Sequence, residues 1–99
     1  MTTLPPHIES IDWDDWNRDH IRKHGVSEAE VEEIPGPYAW YRTTYKNRIM
    51  ATGQTSAGKF LTIVIGESPS QPFRWYVFSA RPASRSERRQ YVEWKEANT

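Results

Sequence analysis

Two hydrophobic periods divide this chain, and the change falls at Pro35-Gly36-Pro37. Before it, Trp13, Trp16, His20 and His24 recur at three- and four-residue steps beside Ile21. That spacing predicts an amphipathic first helix that covers apolar surface with this face. Asp12 or Asp14 supplies the N-cap oxygen, and Gly25 the left-handed stop. A second helix starts at Ser27, with Glu30 three residues on as its reciprocal capping partner and Val26 set against Val31 as a hydrophobic staple. It ends at the Pro-Gly-Pro.

Beyond that point the pattern turns to the period of a strand. Residues 48–55 set Ile49 and Ala51 against Arg48, Met50 and Thr52; residues 59–66 are apolar on both faces, and residues 73–80 are aromatic on both. Ser56-Ala57-Gly58 closes a hairpin between the first two, and residues 67–72 form a looser connection. The three strands predict an antiparallel meander whose middle strand is covered on both sides. A short first strand around residues 7–12 would make four. The period returns to a helical one at Ser84, with Glu87 as capping-box partner, and runs to about residue 97. The expected architecture is an α+β sandwich with two N-terminal helices, an antiparallel sheet of three to four strands and a C-terminal helix. It forms a single domain over residues 1–99, with residues 1–7 expected to be flexible.

Composition narrows the function classes. No cysteine is present, so a disulfide framework, a thiolate metal site and a cysteine nucleophile are all excluded. His7, His20 and His24 lack the spacing of a metal-binding motif, and no phosphate-binding glycine loop, dinucleotide fingerprint or serine-hydrolase elbow occurs. No cofactor is expected. The longest apolar run, residues 60–65, is too short to span a bilayer, and the first residues lack a secretory pattern, so a cytoplasmic protein is expected. A formal net charge of zero conceals a polarised chain: residues 1–33 sum to −6 and residues 34–99 to +6. Such a field recruits an anionic partner despite the neutral sum.

The positive charge is densest in FSARPASRSERRQYVEW, residues 78–94, where Arg81, Arg85, Arg88 and Arg89 fall within nine positions. Arg81 leaves the last strand, and the other three share one side of the following helix. Guanidinium groups contact phosphate in pairs of hydrogen bonds, and helix N-terminal amides add positive potential, so the group reads as a phosphodiester cradle. The competing reading is a solvated helix face paired with nearby carboxylates. Glu87 is either a capping partner alone or also a carboxylate held ionised among arginines. His24 and Lys23 are either a general base with an assisting cation or a basic helix C-terminus. Arg48, Tyr76 and Trp75 are placed for nucleobase contact on the sheet, although aromatic residues in a central strand also serve as core. Tyr91 has the same two readings.

Two segments go further. IDWDDWNRDHIRKHGVSEAEVEEI and FSARPASRSERRQYVEW, separated by NRIMATGQT, resemble the BrnT family of bacterial type II toxins over about residues 11–94. The most specific part is the ending formed by Ser79, Ala80, Arg81, Ala83, Ser84, Glu87, Arg88 and Tyr91. The resemblance implies a RelE-like fold, a ribonuclease that arrests translation, a BrnA-type ribbon-helix-helix antitoxin, and operator DNA bound only through the toxin–antitoxin complex. Ile49, Asn47 and Pro82 depart from the family pattern, and the opening lacks its usual lysine.

On this reading the chain is a metal-independent endoribonuclease. Arg81, Arg85 and Arg88 hold the scissile phosphate, with Arg48 reaching from the sheet. His24 or Glu87 takes the 2′ proton, Lys23 or Tyr91 assists the leaving oxygen, and Arg89 and Tyr76 add RNA contacts. The alternatives are a weak or inactive member that binds protein or nucleic acid without cutting, and a structural subunit whose tryptophan-rich face makes a homodimer.

Overall fold

The computed structural model describes residues 5–68 and 71–98. Its elements run β1 (Ser10–Asp12), α1 (Asp15–Lys23), α2 (Glu28–Glu32), β2 (Trp40–Thr43), β3 (Ile49–Gln54), β4 (Phe60–Glu67), β5 (Arg74–Pro82) and α3 (Arg85–Ala97). The strands form one sheet in the order β1-β5-β4-β3-β2. The fold is α+β, as expected, but the sheet has five strands and is mixed: β1 runs parallel to β5, and all other pairs are antiparallel. Of the N-terminal stretch expected to be flexible, residues 1–4 lie outside the described residues. His7 is engaged, its carbonyl accepting from Trp75 Nε1 at 3.0 Å and its ring meeting Phe73 edge-on.

All three helix starts are fixed by short polar side chains. Asp14, not Asp12, caps α1: its carboxylate accepts from the Asn17 amide at 2.9 Å, while Asn17 Oδ1 accepts from the Asp14 amide at 2.8 Å. Asp12 instead accepts from the Arg74 guanidinium and ties β1 to β5. Ser27 with Glu30, and Ser84 with Glu87, form the expected reciprocal caps. Gly25 follows α1 at φ 74°, a conformation that a β-carbon disfavours.

Strand β2 was not anticipated. Only four residues long, it places Tyr41 in the core, where the hydroxyl donates to the Gly36 carbonyl at 2.9 Å and accepts from the Gly36 amide at 2.8 Å. This pins the Pro-Gly-Pro corner to the sheet. The β2–β3 connection turns through Lys46 and Asn47, both at positive φ (60° and 59°), the backbone that matches the twist of a tight hairpin.

The two faces of the sheet are covered differently. Ala51, Leu61, Ile63, Ile65, Val77 and Ala80 join Ile21, Val26, Val31, Ile34 and Ala39 in one buried cluster beneath α1 and α2. Alternation sends Phe60 and Thr62 to the opposite face. There α3 lies, with Tyr91 packed edge-on against Phe60 at 6.0 Å. The hydroxyls of Thr52 and Thr62, both buried, satisfy each other at 2.7 Å.

The aromatic stripe expected to cover apolar surface does so only in part: Trp13, just before α1, packs against the core, whereas Trp16 and His24 are exposed. Asn17 and Ile21 are the buried residues of α1, whereas Trp16 is 56% exposed. Asn17 tolerates burial because its side chain serves the cap and donates to the Asp12 carbonyl at 2.9 Å. Trp16, His20 and His24 remain a ring-on-ring ladder along the outside of α1.

Candidate functional site

On the α3 side, strand register lays out rows of side chains. Trp40, Thr52, Thr62 and Arg81 form one row across β2, β3, β4 and β5; Arg42, Met50, Val64 and Ser79 form the next. Helix α3 begins three residues after β5 ends with Pro82. Its cap therefore returns directly over Arg81, and Glu87 comes down on the first row.

Glu87 is the hub of this end. Its carboxylate accepts from Arg81 Nη1 at 2.6 Å and Nη2 at 3.0 Å, and from the Ser84 amide at 2.8 Å, while Arg42 Nη2 stands 3.7 Å away. Burial by itself would raise its pKa. Hydrogen bonds from Arg81, the Ser84 amide and Thr62, together with the Arg81 charge, outweigh burial and bring it down to about 2. The same hydrogen bond raises the Arg81 pKa against the opposing effect of burial. Arg42 is pushed down by burial and by the nearby Arg81, with Glu87 acting against both. Its guanidinium stacks on the Trp40 ring at 3.8 Å and donates to the Trp40 carbonyl at 3.0 Å. A guanidinium carries five N–H donors, so Arg42 keeps free donors for an anion. Beside it Arg42, Thr43, Met50, Glu87 and Gln90 border an open hollow of about 400 Å³.

The other end of the exposed sheet holds Arg48. Its guanidinium lies 3.6 Å from the Phe78 ring centre, a cation–π stack, with the Tyr45 ring 5.8 Å away. Gly66 makes this possible: a β-carbon there would stand 2.7 Å from Phe78 Cε2. Tyr76 meets Phe78 edge-on and stacks against Trp16. Its hydroxyl donates to the Asp14 carboxylate at 3.0 Å, and burial, with the Asp14 hydrogen bond and charge, pushes its pKa up to about 12. The face thus runs from an Arg42–Glu87–Arg81 clamp across Met50 and Val64 to an aromatic patch under Arg48.

The structure separates residues that the sequence groups together. Arg81 and Glu87 meet, the carboxylate pairing that the competing reading expects, and Arg85, Arg88 and Arg89 line the other side of α3 with Phe60 and Val92. A helix turns about 100° per residue, so Glu87, Tyr91 and Trp94 face inward while those three arginines face out. Tyr91, expected at RNA, is 2% exposed and packs between Phe60 and Trp94; it is core. Trp75 is also buried, on the α1 side. His24 and Lys23 are exposed at the end of α1, on the layer opposite α3. The His24 amide closes the helix on the Ile21 carbonyl, and its ring contacts His20. Both satisfy the capping description, and neither contacts Arg81 or Glu87.

Arg42 is the site residue that sequence reasoning missed. Its signal was the short β-prone run of Trp40, Tyr41, Arg42 and Thr43 after the Pro-Gly-Pro corner. Among the described residues, no group of three or more histidines and carboxylates is arranged to hold a metal ion. No helix among them is long and apolar enough to cross a membrane. Compared with known proteins, the chain matches no family model and no curated sequence.

Proposed function

We propose that this chain is a BrnT-like toxin with a RelE-like fold, a metal-independent endoribonuclease whose active face is the exposed half of the sheet beside α3. The observation that carries the reading is the pair of guanidinium groups, Arg81 and Arg42, held by one ionised carboxylate at the border of an aromatic, cation-lined surface. RNA lies along this face with its scissile phosphate at Arg42 and Arg81 and a neighbouring base or phosphate at Arg48. The 2′ oxygen attacks phosphorus, the bond to the 5′ oxygen breaks, and a cyclic phosphate and a 5′-hydroxyl result. The arginines stabilise charge that builds on the phosphoryl oxygens. Glu87 fixes them; with a pKa of about 2 it is too weak a base at neutral pH to take the 2′ proton efficiently. That proton passes to solvent, which also supplies the proton that the leaving 5′ oxygen takes up. A BrnA-type antitoxin neutralises the toxin, and the complex binds operator DNA.

Two observations favour a second reading. The low pKa of Glu87 and the position of His24 on the opposite layer leave the clamp without a facing base, which suits a module that binds RNA without cutting it. Induced expression of the wild type, Arg81→Ala and Arg42→Ala, with growth and total RNA followed together, separates the two. The toxin reading expects arrest and RNA cleavage from the wild type and about a hundredfold slower cleavage from either variant. Unchanged cleavage by folded Arg81→Ala would overturn the clamp's role. RNA binding without turnover by folded wild type would select the second reading.

A further inference from the structure

The outer side of α3 carries an arrangement that the sheet-face site does not use. Arg85, Arg88, Arg89 and Val92 recur at three- and four-residue steps and, with Phe60, line an open groove of about 510 Å³. All three arginines are exposed, and among the described residues no ion pair engages them. They also occupy the first turns of the helix, where its dipole disfavours cations. Three unpaired guanidinium groups at that position oppose one another and the helix, and an anionic partner would relieve both. The floor between them is apolar: Val92 is 38% exposed, and the Phe60 ring lies under Arg88 at 5.4 Å. At its far end the groove changes sign, with Glu93 and Glu96 on its wall.

That reversal decides what class of partner fits. A nucleic acid carries negative charge throughout and would meet repulsion from the two glutamates. A protein segment can alternate charge and supply aliphatic side chains for the floor. We propose that this groove docks an amphipathic segment of a partner protein. Its carboxylates lie over Arg85, Arg88 and Arg89, its aliphatic side chains rest on Phe60 and Val92, and its basic end faces Glu93 and Glu96. The groove is on the opposite side of α3 from the Arg81–Glu87 pair, so this inference stands apart from the ribonuclease reading.

The test uses a fluorescein-labelled helical peptide with glutamates in one half, lysines in the other and leucines along one face, titrated with the whole chain by fluorescence anisotropy. The wild type should bind it more than about tenfold tighter than a scrambled peptide of equal composition. Replacing Arg85, Arg88 and Arg89 together by glutamate should weaken binding by about tenfold or more, and Val92→Ser by a few-fold. Thermal unfolding checks that both variants remain folded. Arg81→Ala should bind the peptide like the wild type, whatever becomes of its activity toward RNA. Failure of the wild type to prefer the designed peptide would overturn the proposal. So would tighter binding of an oligouridylate at the same residues, or sedimentation showing that the groove joins two copies of this chain.

Discussion

Ile63 and Val64 are neighbours in β4, yet they belong to different proteins in a physical sense. Ile63 faces α1 and α2 in a wall of aliphatic side chains and has no exposed surface. Val64 faces the α3 side, in the row of Arg42, Met50 and Ser79, and is half-buried. The first face spends its residues on excluding water. On the second, cohesion comes from the buried Thr52–Thr62 hydroxyl pair and from the Glu87 clamp and the Arg48–Phe78 stack, the last two of which keep polar groups next to solvent. The difference teaches that α3 closes its side only at one end, around Tyr91, and leaves the remainder as a working surface.

The sharpest way to break this comparison is to truncate both neighbours. Ile63→Ala should cost about 3–4 kcal/mol in urea unfolding, and Val64→Ala about 1 kcal/mol. Equal costs would mean that the second face is as closed as the first. Next in size is Glu87→Gln, which leaves two guanidinium groups beside a neutral amide and should cost about 2 kcal/mol at pH 7. The folded-state pKa of Glu87 lies below its usual value near 4.5, so its contribution is complete above pH 4.5 and is lost as pH falls to about 2. The stability gap between wild type and Glu87→Gln, followed by thermal melts across that range, should narrow with acidification; a constant gap would place the cost in the cap instead. The smallest effect sits at the hairpin tip. Lys46→Gly removes a β-carbon from a left-handed backbone while loosening the unfolded chain, for a net gain of up to about 0.5 kcal/mol by calorimetry. A loss there would show that Lys46 stabilises the tip through its ammonium group, which stands 5.9 Å from the centre of the Tyr45 ring.

Features governed by neighbours in sequence were readable in advance. Ser27 with Glu30 and Ser84 with Glu87 are three-residue capping signals and act as such. The apolar run in β4 announced a central strand, although its cover on the α3 side is partial and leaves Val64 half-buried. Non-local features were harder to read. The parallel pairing of Ser10 with Arg74 spans most of the chain, and β2 is too short to display a period. The reach of Arg42 to Glu87 depends on four strands being in register. Periodicity identified the Trp16, His20 and His24 face of α1 but not whether it points in or out; the satisfied amide of Asn17 decided that. Likewise, closeness in sequence merged Arg81 with Arg85, Arg88 and Arg89, which the helical turn then distributes to two sides of α3.

The order of the sheet has a consequence for solubility at high concentration. Its two outermost strands are its shortest, β1 with three residues and β2 with four, whereas the long β4 and β5 lie inside. Outer strands invite edge-to-edge pairing with other chains, and the hazard grows with the length of unpaired backbone they offer. Asp12 and Arg74 meet at one margin, and Arg42 is carried by the strand at the other. A chain so rich in β-branched and aromatic residues thereby shows neighbouring molecules only short, charge-marked margins, which is a defence against aggregation built into strand order itself.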